Sequence, residues 1–331
     1  MRAGLIALLS FAAGVLTMLA VQGWSPRPHP AASPHAPVVQ PAPAASALLD
    51  TAEAPAAPED DWPEQAPTPE QVLYAQPRLL DTALAKLGPR VPGTPNLYLL
   101  AFAGDGSEDV FHNEAEYAAR LFTRRFGPTA HALVLENHPD TLATHPLATW
   151  SNLESALDGL ARVMDPRQDI LLLYLTTHGS EDHSLLVDMD PLPLDQIGAE
   201  DLAAILKARP FKWKVVVVNA CYSGGFVPPL QGAGTLVLTA ARSDRSSFGC
   251  GNDSAATYFG RAWLVDALNH TDDFTQAFRQ ASSEVARWEK QDGLLPSEPQ
   301  ISAGDGIAAQ LAKWRAGVKP GAPVAFRPDT R

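Results

Sequence analysis

Ile170-Leu-Leu-Leu-Tyr-Leu-Thr-Thr-His-Gly-Ser180 is an apolar run that ends in a histidine and a glycine, and Val215-Val-Val-Val-Asn-Ala-Cys-Tyr-Ser-Gly-Gly225 repeats the plan with a cysteine. Strands that are apolar at every position, rather than at every second one, belong to a parallel sheet covered by helices on both faces. Working outward, residues 96–103, 130–135 and 235–240 are further strand-like runs. Between and after them lie segments of helical spacing at 113–126, 152–164, 200–208, 257–268 and 274–290. A lead-in helix is expected over 69–88, where Gly88-Pro89 stops it. The alternation predicts a three-layer α/β fold, a mostly parallel central sheet flanked by helices. Such sheets bind ligands beyond the carboxyl ends of their strands, which directs attention to the residues after Thr176 and Val218.

Those residues are His178 and Cys221, 43 positions apart. A thiol with an ordinary pKa of about 8.5 is mostly protonated at neutral pH and needs a neighbouring base to attack a carbonyl. Histidine can take that proton and return it to a leaving amine. Gly179 and the Gly224-Gly225 pair let backbone approach a substrate closely. The N–H groups of Gly179 and Cys221 are candidate oxyanion donors, each worth about 3 kcal/mol of barrier. Catalysis by Cys221 and His178 is the sharp reading; a cysteine filling an apolar strand end is the bland one.

His178-Gly179 and Ala220-Cys-Tyr-Ser-Gly-Gly225, both after apolar strands, resemble the legumain family of caspase-fold cysteine peptidases, which also holds the catalytic subunit of the GPI-anchor transamidase. Residues 242–250 and 257–260 extend the likeness, most of all to the bacterial branch, so that it spans about residues 95–303. The resemblance implies a caspase-like fold, a cysteine endopeptidase with Cys221 as nucleophile and His178 as base, oxyanion donors at Gly179 and Cys221, and no cofactor. It also implies substrate-binding roles at Asn219, Ser247 and Arg261. Where eukaryotic legumains carry two acidic groups, this chain has Asn219 and Arg261, so cleavage after asparagine is not inherited, and Arg261 is suited to an acidic side chain. The family's histidine-orienting asparagine follows the first strand; here Asp109 and Asn113 are the candidates, with no choice between them. Hydrolysis, transpeptidation and transamidation share this chemistry, and a non-catalytic binding module of the same fold is the reading from a different class.

The remaining sequence sets the surroundings. A formal net charge of −12 without a cluster of Lys and Arg argues against a nucleic-acid surface. Residues 1–24 carry Arg2 ahead of an uncharged apolar stretch long enough for a membrane span. Such an anchor puts the catalytic domain in the periplasm of a bacterial inner membrane; signal cleavage and secretion are the alternative. Residues 25–69, rich in Pro and Ala, read as a disordered linker, with Glu59-Asp60-Asp61 an accessible place for zymogen cleavage. The peptidase domain is expected over 70–317 and a C-terminal tail over 318–331. Cys250, the second of two cysteines, is read as a buried thiol or a redox lock. Asp182 and His183 near His178 lack the spacing of a structural zinc site, so no metal is assigned. The expected partners are a peptide or protein substrate and the membrane; oligomeric state is not legible.

Overall fold

The computed structural model describes residues 62–251 and 253–328. Its centre is a six-stranded sheet of β1 (Leu97–Ala103), β2 (Ala130–Glu136), β3 (Ile170–Thr176), β6 (Trp213–Asn219), β7 (Thr235–Thr239) and β8 (Gln300–Ala303). The order is β2-β1-β3-β6-β7-β8, and all pairs are parallel except β7 with β8. The apolar runs sort as expected. Alternate residues of each strand face opposite clusters: Leu172, Tyr174, Val215 and Val217 on one side, Leu171, Leu173, Val216 and Val218 on the other. The first face is covered by α2 (Asp109–Arg125), α7 (Phe274–Gln291) and α8 (Ile307–Gly317), the second by α1 (Pro69–Ala85), α3 (Trp150–Val163) and α4 (Ala199–Lys207). Each fully buried Leu or Val contributes about 1.5–3 kcal/mol relative to exposure.

A short hairpin of β4 (Ser184–Leu185) and β5 (Ile197–Gly198) stands apart from the main sheet. The segment expected as one helix over 257–268 is a single turn, α6 (Tyr258–Gly260), that continues as a π-helix over Arg261–Ala267. Two boundaries differ from the expectation. Residues 62–68, expected in the linker, lie on the body: Trp62 and Ala66 pack against Val72, Leu142 and Met189, and Thr68 closes a capping box with Gln71 that starts α1. At the other end Val318, Val324 and Phe326 pack on the core, and the Val324 carbonyl accepts from the Tyr117 hydroxyl at 2.9 Å.

Among the described residues no helix is long and apolar enough to cross a membrane. The span expected over 1–24, and the linker up to residue 61, lie outside the described residues.

Candidate active site

Register builds the site. Ala103 of β1 pairs with Thr176 of β3, and Thr176 pairs with Asn219 of β6, so three neighbouring strands end level with one another. Two residues beyond each end stand Asp105, His178 and Cys221. The chain leaves β1 toward β2 on one side and leaves β3 toward β6 on the other, which makes the ends of β1 and β3 the topological switch point where such sheets bind ligands.

The turns after the strands are tight. A Cβ on Gly179 would sit 2.2 Å from the Cys221 carbonyl oxygen, so only glycine lets the two loops touch. Tyr222, directly after the cysteine, is left-handed at φ 55°, a conformation that costs about 1–3 kcal/mol and clusters at functional sites. Its N–H donates to the Arg245 carbonyl at 2.7 Å, which ties the Cys221 turn to the loop carrying Ser247. His183, at φ 61°, lies over Gly225, where a Cβ would meet its ring at 2.1 Å. Among the described residues neither the Gly179 nor the Cys221 N–H has a hydrogen-bond partner, as oxyanion donors require.

His178 is one-third exposed, its Nε2 3.6 Å from Asp105 Oδ2 and 3.4 Å from Glu108 Oε2, with Phe111 edge-on to its ring. The carboxylates facing the imidazole are Asp105 and Glu108. Asp109 Oδ1 lies 3.3 Å from His138 Nε2, and Asn113 is buried. Partial burial pushes the Glu108 carboxyl up, the positive imidazole pulls it down, and Asp105 pushes it up again.

Cys221 is partly buried. Its thiol receives the Ser247 N–H at 3.3 Å and lies 3.6 Å from the Ser247 hydroxyl. The neighbouring Cys250 thiol, with Ser247 and the charge of His178, holds the Cys221 pKa down at about 5 against the opposing effect of burial. Cys250 moves the other way, pushed up because Cys221 beside it takes the negative charge. Both cysteines are free. A depressed pKa means thiolate above about pH 5 and thiol below it. Alkylation of Cys221 by iodoacetamide, followed by peptide mass, is thus expected to lose half its rate near pH 5. In Cys250→Ala that midpoint should rise; a wild-type midpoint near the ordinary ~8.5 would show the thiol is not activated.

Asn219 and Arg261 are placed differently. Asn219 is buried, and its side-chain amide donates to Glu114 Oε2 at 2.7 Å and to the Thr257 hydroxyl at 2.9 Å. Glu114, on α2 and fully buried, also accepts from the Tyr174 and Thr176 hydroxyls and from the Thr257 N–H and hydroxyl, at 2.7–2.8 Å. Burial pushes its carboxyl pKa up while these donors oppose it. This network binds the end of β6, two residues before Cys221, to α2, β3 and the start of α6. Arg261 is half exposed and points Nε to Asp266 Oδ1 at 3.3 Å. Of the three, Ser247 touches the Cys221 thiol.

Residues 151–309 match the model of the Peptidase C13 family, and no curated protein matches the chain. The matched stretch contains His178, Cys221 and Ser247 and excludes β1 with Asp105. It is the same family that the residues around His178 and Cys221 resemble.

Proposed function

We propose that this chain, whose residues 151–309 match the Peptidase C13 family, is a legumain-like cysteine endopeptidase acting through Cys221 and His178 on an exported or envelope peptide. The level ending of β3 and β6, which brings His178 and Cys221 out side by side, carries the reading. Cys221 Sγ attacks the scissile carbonyl carbon, and the oxyanion takes the N–H groups of Gly179 and Cys221. His178, its Nε2 held by Asp105 and Glu108, uses Nδ1 to carry the proton to the leaving amine as the C–N bond breaks. Water then hydrolyses the thioester and frees the thiol; an amine in place of water gives transpeptidation.

The test is a series of electrophilic peptide probes differing in the residue before the warhead, applied to the chain and to its Cys221→Ala and His178→Ala variants. Selective labelling of Cys221 that depends on His178 is expected. Labelling that ignores His178 would move the chain to the binding-module reading. Product analysis with an added amine separates hydrolysis from transfer.

Arg261 is the proposed selector for an acidic side chain. Its exposed pairing with Asp266 is worth about 1 kcal/mol or less, so a buried substrate carboxylate, worth about 1.5–3 kcal/mol as a charged hydrogen bond, displaces it. Arg261→Ala is expected to lower turnover of Asp relative to Asn substrates by roughly tenfold. An unchanged Asp-to-Asn ratio in that variant sinks the assignment.

A further inference from the structure

A second cluster of ionisable side chains stands at the outer edge of the sheet. Glu136 ends β2, the edge strand; it is fully buried, and its Oε2 lies 2.8 Å from His112 Nδ1. Its other oxygen, Oε1, is buried without a hydrogen bond of ordinary geometry, the nearest hydroxyl to the carboxylate being that of Thr141. That oxygen is 3.6 Å from His145 Nδ1, and His145 Nε2 is 3.6 Å from Glu116 Oε1. Glu116 Oε2 in turn lies 3.6 Å from Arg120. One ligand atom from each of Glu116, Glu136 and His145 falls within 4.8 Å of the others.

We propose that Glu116, Glu136 and His145 form a binding site for a divalent transition-metal ion of the zinc type, which joins α2, the end of edge strand β2 and the loop after it. Two carboxylates and one imidazole are a donor set for zinc, with further positions left to water. Calcium and magnesium prefer oxygen alone. A tetrahedral ion with ligands at 2.0–2.2 Å sets them about 3.4 Å apart. Glu116 and His145, both partly exposed, can close that gap by side-chain rotation while buried Glu136 stays fixed. A buried carboxylate oxygen lacking a donor is costly, and a cation removes the cost. Behind it the support expected of a metal ligand is in place. His112 holds the second oxygen of Glu136, the His112 ring stacks on His138 at 4.0 Å, and Asp109 pairs with His138. Asp109 adjoins Glu108, which faces His178, so the ion steadies the segment that positions the imidazole.

The test uses the full chain carrying Cys221→Ser and Cys250→Ser, so that thiols cannot hold the probe ion. After chelator treatment it is dialysed against Zn2+, and in parallel against Ca2+, and bound metal is counted. One Zn2+ per chain is expected, bound at least tenfold tighter than Ca2+, with an unfolding midpoint that rises with Zn2+ concentration. Glu116→Gln and His145→Gln, both at partly exposed positions, should each weaken Zn2+ binding at least tenfold while melting like the parent without metal. No bound Zn2+, tighter binding of Ca2+, or undiminished Zn2+ binding in His145→Gln each overturns the proposal.

Discussion

Replacing Cys221 by alanine is expected to reduce peptide turnover by about 10^5- to 10^6-fold, as removing the nucleophile of an acyl-transfer enzyme does; the barrier rises by about 7–8 kcal/mol. Stability should hardly change, because Cys221 is partly exposed and its polar contacts are to Ser247 and Cys250. The pairing of these two results matters: loss of turnover with an unchanged melting temperature assigns the chemistry to the thiol. His178→Ala should cost less, about 10^2- to 10^4-fold, the usual worth of a positioned general acid-base group, because the oxyanion donors and Ser247 remain. Equal turnover by wild type and Cys221→Ala would place the reaction elsewhere in the chain.

The second large effect is on stability and comes from a residue that touches no substrate. Glu114→Gln preserves shape but puts an amide N–H2 where only donors point: the hydroxyls of Tyr174, Thr176 and Thr257, the Asn219 amide and the Thr257 N–H. Each buried donor left without an acceptor costs about 1–3 kcal/mol. A total of about 3–5 kcal/mol is expected, a melting temperature lower by roughly 10 °C or more in a chain of this size. Activity should fall as well, because Asn219 stands two residues before Cys221 and Thr257 caps α6. Glu116→Gln, two residues along the same helix and partly exposed, is the control and should melt close to wild type without metal. A Glu114→Gln protein that melts with the control would show that the network is dispensable.

What was legible in the sequence follows from physical pattern. The five parallel strands announced themselves because burial on both faces demands apolar residues throughout, as in Ile170–Thr176, where every residue is buried. β8 did not: its four residues alternate between partly buried and exposed at the sheet's edge, which leaves no such run. The 257–268 helix was visible as a helix, but nothing in its spacing separates a π-helix from an α-helix. Around the candidate site, His178, Cys221 and Gly179 stand out by their motifs and Ser247 by the family resemblance. Asp105 and Glu108 were not singled out, because the acidic run 105–109 offers several carboxylates and only the register Ala103 to Thr176 decides which ones meet the imidazole. Glu114 was missed although a signal was present. It lies four residues after Val110 and three and four before Tyr117 and Ala118, on the buried stripe of α2, where an ionisable residue needs a reason.

The level ends of β1, β3 and β6 make the sheet a ruler against which the reacting groups are spaced. Adding or deleting one residue inside any of these strands would slide its terminal side chains to the opposite face, since side-chain direction alternates at every step. The connections between strands carry no such constraint, because loop closure costs rise only slowly with length. Variation in related chains should therefore collect as insertions in the long crossovers, for instance across residues 186–196, while strand lengths stay fixed. Transplanting a new specificity onto this scaffold would accordingly start by exchanging those crossovers whole.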